Sequence, residues 1–275
     1  MSRRAARGFT LVEMVVAISI SAMVVLFVAM FLAAPLGAFE AQSRRNQMVG
    51  DITAAWPRMQ DDLSKALPNS VRTHVNGNYV VIEMLKVAGV TRYTSALGGN
   101  NFDAAGTVNG VFRGAGLVPN PPAATAYFFS VNPGQSVYTL GNSMVRTPVQ
   151  WTTTGTGAGV VTLTTPPAFA FGSPRNRAYL VSGPVTYLCD LRAAQRTLRR
   201  YEGYALAAAQ TSRDAPNEFA AGTNTLIARG VTGCRFDASD QNLTNKAQTV
   251  SVLLTTTSNN DTVTLLHEAR SEYVP

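Results

Sequence analysis

The stretch that most constrains this chain runs from Gly8 to Ala34, GFTLVEMVVAISISAMVVLFVAMFLAA. From Met14 to Ala34 there are 21 residues without a charge, interrupted only by Ser19 and Ser21. A helix of that length is about 31 Å long and matches a hydrocarbon core of about 30 Å. One carboxylate, Glu13, stands at the edge of the span. A carboxylate at bilayer depth costs roughly 2.5–3.5 kcal/mol, so it calls for a partner and a purpose. A cleaved signal peptide fits poorly, because its apolar region should be about 7–15 residues and end in small residues before the cleavage point. Here the candidate processing residue, Gly8, precedes the apolar run and follows a basic leader, MSRRAARG. A plain membrane anchor would tolerate Glu13 but would not require Gly-Phe-Thr-Leu-Val-Glu in that order.

At Gly8, Phe9, Thr10, Leu11, Val12 and Glu13, with basic residues before and the apolar run after, the chain resembles the type IV prepilin family. That family includes the pseudopilins of type II secretion. The resemblance implies cleavage between Gly8 and Phe9 by a membrane prepilin peptidase and N-methylation of the new Phe9 amine. It also implies that Glu13 pairs with the terminal amine of a neighbouring subunit during assembly. An ammonium and a carboxylate attract far more strongly in low dielectric than in water, which supplies the partner that the membrane cost demands. Glu13 thus reads as an assembly residue and not a catalyst. The partners implied are the peptidase, other major and minor pilins, the inner-membrane platform of the pilus and the inner membrane itself.

Later segments extend the likeness. Leu67-Pro68-Asn69-Ser70-Val71-Arg72, Val181 to Tyr187 with Cys189, Leu198-Arg199-Arg200-Tyr201, Ile227 to Cys234, Leu266-His267-Glu268 and Val274-Pro275 carry it. These are similar to the minor pilins of mannose-sensitive haemagglutinin (MSHA) pilus biogenesis, the protein O group. The function implied is a minor pilin that primes, caps or helps build a pilus. A minor pseudopilin of a type II secretion system is the alternative, and so is a tip adhesin using loops 98–122 and 132–158 as a binding surface. Loops are where binding residues often lie.

With 275 residues, about 240 of them beyond the span, the chain can bury a substantial core. Removing the leader takes away Arg3, Arg4 and Arg7 and no acid, which lowers the formal charge from +7 to +4. The leader charges stay cytoplasmic and the long C-terminal part is exported. The only tight basic group, Arg196, Arg199 and Arg200, reads as a solvated hairpin face, so no nucleic-acid partner is expected. Charged residues make up only 14% of the chain, which suits an exported β-rich domain better than a cytosolic enzyme. In an oxidising compartment a disulfide between Cys189 and Cys234 is the leading reading; two separate buried thiols are the alternative. The bridge would close a loop of about 45 residues and stabilise by roughly 4 kcal/mol.

Pro35 and Gly37 interrupt the apolar run, and a kink is expected there. From Phe39 the pattern is amphipathic, with Met48, Ile52, Ala55, Met59, Leu63 and Leu67 on one face. Arg44, Arg45, Asp51, Arg58, Asp61, Asp62 and Lys65 are assigned to other faces. Pro57 is expected to kink this helix, and Leu67-Pro68-Asn69 to stop it. Strands are predicted at Tyr79 to Leu85, Ala126 to Val131, Val160 to Thr164 and Arg177 to Leu188. Arg196 to Tyr204 is the partner of the last, with a helix over Asp190 to Gln210 as the competing reading. Thr249 to Thr256 and Thr262 to Ala269 form a hairpin about Ser258 to Asp261. Residues Gly98 to Pro122 read as a long irregular excursion.

No nucleophile elbow, P-loop or complete G-x-G-x-x-G is present. His74 and His267 lie far apart without ligand spacing, so no catalytic set, metal site or cofactor is expected. The predicted fold is α+β and pilin-like: a long N-terminal helix, its first half membrane-spanning, against a mainly antiparallel sheet with long loops. The expected segments are a leader at 1–8, a membrane or filament-core helix at 9–36, its amphipathic second half at 37–67, and an exported domain at 68–275. The expected location is the inner membrane, single-pass with the C-terminal domain periplasmic, and then the pilus on the cell surface.

Overall fold

A computed structural model describes residues 10–93, 111–115, 128–131, 137–139, 145–146, 149–153, 159–163, 173, 176–239, 248–259 and 261–271. The leader, Gly8, Phe9 and the closing Val274-Pro275 lie outside the described residues. The chain divides into two units, Met1–Met48 and Val49–Pro275.

In the first unit a long helix, α1 (Leu11–Thr53), begins; it continues into the second. Its described apolar side chains face outward along the span, with Phe31 82% exposed. Among the described residues this is the one helix long and apolar enough to cross a membrane. Pro35 is accommodated inside it.

Near its end the helical path breaks at a turn through Ala54 and Ala55, and a second helix, α2 (Trp56–Ser64), follows. The kink expected at Pro57 is present: the path bends at this turn, and the helix carries on from Leu11 to Ser64. A proline ring clashes with the carbonyl four residues back, here that of Thr53, the last residue of α1. In the first turn of α2 the missing proline N–H costs nothing, since no intrahelical partner would have met it.

The strands are β1 (Arg72–Asn76), β2 (Tyr79–Tyr93), β3 (Val111–Ala115), β4 (Phe128–Val131), β5 (Val145–Arg146), β6 (Val149–Thr153), β7 (Gly159–Leu163), β8 (Arg177–Asp190), β9 (Thr197–Glu202), β10 (Thr223–Arg229), β11 (Val231–Ala238), β12 (Gln248–Ser258) and β13 (Asp261–Ser271). Every pairing between the described strands is antiparallel. This is the predicted α+β architecture. The larger sheet runs β10-β9-β8-β2-β3-β7-β6, with β1 also on β2 and β4 on β8; the smaller runs β11-β12-β13.

The paired β2 and β8 form the spine of the larger sheet, in register from Tyr79↔Asp190 to Arg92↔Arg177. Each changes its second partner along its length. Ala178 to Val181 of β8 meet β4, while Val185 to Asp190 meet β9. Pro184 falls in the interval between, where its missing N–H deprives neither neighbour of a ladder bond. A bulge lies opposite, at Lys86 and Val87, and Gly183 takes φ +132° there.

Side-chain alternation then builds two cores. Val80, Ile82 and Met84 of β2 and Val185, Tyr187 and Cys189 of β8 share one cluster with Ile52, Met59 and Leu63 of the helices. Phe236, Val250, Val252, Leu254 and Ala269 of the smaller sheet close that cluster from the other side. On the opposite face Val81 and Leu188 meet Tyr201, Tyr204 and Phe219. Because both faces are covered, β8 is buried nearly throughout and lacks the alternation of a half-exposed strand.

The predicted β8–β9 and β12–β13 hairpins are present, the second closing Ser258↔Asp261 with Asn259 at φ +47°. The expectation of an irregular excursion from 98 to 122 is corrected at β3, and strands β5 and β6 fall within the loop assigned to 132–158. The rest of both stretches, apart from residues 137–139, lies outside the described residues, as do most of the Gly155 to Gly159 turn and Asn260.

Candidate functional site

Glu13 lies in the first turn of α1, where the unpaired N–H groups of the helix favour a negative charge. Thr10 caps that turn: its hydroxyl oxygen accepts a hydrogen bond from the Glu13 N–H at 3.3 Å, and its carbonyl accepts from Met14 N–H at 3.2 Å. Further along, the Ser19 hydroxyl donates to the Val15 carbonyl at 2.8 Å, so the span satisfies this polar group internally. Between Arg7 and Arg44 the sequence holds no lysine or arginine. Arg44 is about 46 Å from Glu13 along the helix at 1.5 Å per residue, beyond any side-chain reach. A cation for Glu13 must therefore come from the N-terminal end of the chain or from another molecule. Gly8 and Phe9, the other two residues assigned to processing and assembly, lie outside the described residues.

In the second unit two buried carboxylates, Asp62 and Glu83, are each held by several donors. Asp62 is fully buried. Its carboxylate accepts from Arg200 Nε at 2.5 Å, from the Tyr187 hydroxyl at 2.8 Å and from Lys86 Nζ at 3.0 Å. Arg200 in turn reaches Glu202 at 2.8 Å. Burial by itself raises the Asp62 pKa, but the bonds from Arg200, Tyr187 and Lys86 outweigh it and hold the carboxyl below the usual range.

On the other face Glu83 is also fully buried and takes a hydrogen bond from Arg72 Nε at 2.6 Å and from the Tyr204 hydroxyl at 2.9 Å. There burial wins and pushes the Glu83 carboxyl above its ordinary value, against the pull of Arg72. The Arg72 guanidinium lies 3.5 Å from the centroid of the Tyr138 ring and donates to the carbonyls of Ala207 and Ala208. Buried carboxylates held in this way tie together elements that are distant in sequence.

Two assignments made on the sequence are corrected here. Asp62 does not sit on a polar face, and Arg200 does not belong to a solvated hairpin face; only Arg196 of the basic group is exposed. The signal for Asp62 was available. It follows Met59 by three residues and Ala55 by seven, which places it on the apolar stripe. Nothing local marked Arg200, because its burial depends on contact with Asp62, 138 residues away.

Cys189 of β8 and Cys234 of β11 are joined by a disulfide, with Cα atoms 6.4 Å apart, and so link the two sheets. The histidines do not converge. His74 faces Asp214 at 3.3 Å, and His267 stacks on Trp56 with ring centroids 4.5 Å apart. Among the described residues no group of three or more His, Cys, Asp or Glu could hold a metal ion.

Residues 3–33 match the family model described as the prokaryotic N-terminal methylation motif. No curated protein matches the chain, and no solved structure matches it. The matched region takes in Gly8, Phe9, Glu13 and nearly all of the apolar run, and ends before the second unit begins. It supports a type IV prepilin- or pseudopilin-like protein, anchored in a membrane by its N-terminal helix. Processing by a prepilin peptidase and assembly with other pilins follow from the motif.

Proposed function

We propose that the chain is a minor pilin of a type IV pilus of the MSHA kind, acting in pilus assembly, initiation or tip structure. In this reading the peptidase cuts between Gly8 and Phe9, and Phe9 is N-methylated. The mature protein waits in the inner membrane as a single-pass protein with its β-rich domain in the periplasm, joined by the Cys189–Cys234 bridge. Assembly then brings Glu13 against the Phe9 amine of a neighbouring subunit at the pilus platform. The role is structural and not catalytic.

The observation that carries the reading is the placement of Glu13. It is a carboxylate in the first turn of an outward-facing apolar helix, with no lysine or arginine within reach along that helix. Such an acid is costly in a lipid-covered monomer and is relieved by an ammonium brought by another subunit. The alternative, a minor pseudopilin of a type II secretion system, shares the same helix and the same motif.

The test is N-terminal sequencing of the cellular protein with its methylation state, followed by immunoblotting of sheared surface pili. A chain beginning at N-methyl-Phe9 and present in sheared pili is expected. A chain still beginning at Met1, or one beginning after residue 34, would overturn the reading. Presence in the envelope with absence from sheared pili, together with loss of protein secretion on deletion, would select the pseudopilin.

A further inference from the structure

Between β9 and β10 the chain runs from Gly203 to Gly222 without a strand, with only two short 3₁₀ turns, Gln210–Ser212 and Pro216–Phe219. It lies over the face of the larger sheet that carries Val81 and Leu188, where Tyr204 and buried Phe219 pack down on them. The segment is braced within itself. Glu218 accepts from the N–H groups of Asp214 at 2.6 Å and Ala215 at 2.9 Å, and Arg213 donates to the Ala205 carbonyl. Segments without ladder bonds of their own open more readily than the sheets they cover.

Its polar ties to β1 and β2 gather at two places. At the first, the Tyr204 hydroxyl donates to fully buried Glu83 at 2.9 Å, and Arg72, which bonds Glu83 at 2.6 Å, donates onward to the carbonyls of Ala207 and Ala208. At the second, His74 faces the Asp214 carboxylate at 3.3 Å, and the Asn76 amide donates to the same carboxylate at 2.9 Å. Both places hold a titratable group of the sheet against the segment.

The two respond to pH in the same sense. Arg72 and Glu83 are register partners on β1 and β2, so that pair stays together when the segment lifts, whereas Tyr204 leaves and water enters. Burial pushes the Glu83 carboxyl above its ordinary value against the pull of Arg72, so hydration on lifting favours the ionised form. Rising pH, which ionises Glu83, therefore favours lifting. The other groups that face Glu83 are Arg213 and Tyr204 of the segment, Thr186 of β8 and Tyr138. Burial raises both tyrosines well above their ordinary value, so neither ionises ahead of Glu83. At the other end His74 attracts Asp214 as a charge only when protonated, so that tie also weakens as the pH rises. Glu218, the second acid there, is turned to the backbone N–H of Asp214.

We propose that residues 203–222 form a pH-operated strap, held against β1 and β2 in mild acid and loosened as the pH rises by ionisation of Glu83 and loss of the charge on His74. The device belongs to the β-rich domain alone and stands whichever filament the chain serves.

The test is hydrogen–deuterium exchange of the full-length chain in detergent, read by mass spectrometry between about pH 5 and about pH 8, where histidine changes charge. Each rate is divided by the intrinsic chemical rate at that pH, and peptides from β12 serve as the reference within the same molecule. Protection of residues 203–222 is expected to fall as the pH rises while that of β12 holds. Glu83→Gln is expected to lose most of that fall, and His74→Asn to lessen it at the Asp214 end. A side chain that merely braces the fold would lower protection by one factor at every pH, so the ratio across the range separates the two roles. An intact Cys189–Cys234 bridge and parental protection of β12 show that a variant has folded; should Glu83→Gln not fold, His74→Asn carries the test. A parent strap equally protected across the range, one that loosens on acidification, a fall shared by β12, or a ratio unchanged in the folded variants would each overturn the proposal.

Discussion

Replacing Asp62 with asparagine removes the charge from a fully buried carboxylate and deprives Arg200, itself only 2% exposed, of its closest counter-ion. Removing one member of a buried pair costs about 3–5 kcal/mol, because the remaining charge is stranded in a medium that solvates it poorly. Two features soften the loss here. Glu202 still reaches Arg200 at 2.8 Å, and Lys86, with 25% of its side chain exposed, can turn toward water. The expected cost is therefore at the lower end, about 3 kcal/mol. For a domain of this size each kcal/mol moves the melting midpoint by about 2–4 °C, so a fall of roughly 6–12 °C is expected. The assay is thermal unfolding of the mature full-length chain in detergent, with a urea titration to check the free energy. The double variant Asp62→Leu, Arg200→Met should be more stable than Asp62→Asn, since it leaves neither charge buried; a coupling of at least about 1 kcal/mol is expected. A single variant within about 0.5 kcal/mol of the parent, the scale of an ordinary surface change, would refute the reasoning.

The remaining predictions concern assembly, pH and the bridge. Glu13→Ala should leave leader cleavage largely intact and block incorporation into filaments; its appearance at parental levels in sheared pili would end the role assigned to Glu13. Asp190 and Glu202 are held below the usual carboxylate range by hydrogen bonds from Arg192 and Arg200, and Asp62 by Arg200, Tyr187 and Lys86 against its burial. Each contributes stability above its unfolded pKa and loses it as pH falls through the folded value, so the melting midpoint should drop below about pH 4, less steeply in Asp62→Asn. Glu83 acts in the opposite sense: its raised pKa contributes stability at low pH that is lost as pH rises through the folded value, and it partly offsets the acid loss. For the bridge, Cys189→Ser, Cys234→Ser should lose roughly 4 kcal/mol on the chain-entropy model, and non-reducing mass spectrometry of the parent should show the linked peptides. Two alkylatable thiols in the exported parent would exclude it.

What the linear chain determined by itself lies where chemistry is local. An uncharged run of membrane length, a basic leader before it and Glu13 at its edge define the anchor and its costly acid without any partner being seen. The β12–β13 hairpin was legible for the same reason, since alternation and an Asn-rich turn act over a few residues. Tertiary structure decided whatever depended on coverage from a distance. β8 shows no alternation because helices and the smaller sheet lie on one face and the segment carrying Tyr204 and Phe219 lies on the other. β1 could not be told from the helix exit, because its five residues become a strand only by pairing with β2. Arg200 looked like one of three surface arginines until α2 brought Asp62 over it. Its charge is an attribute of the residue, but its burial is an attribute of two segments 138 residues apart that meet only in the folded domain.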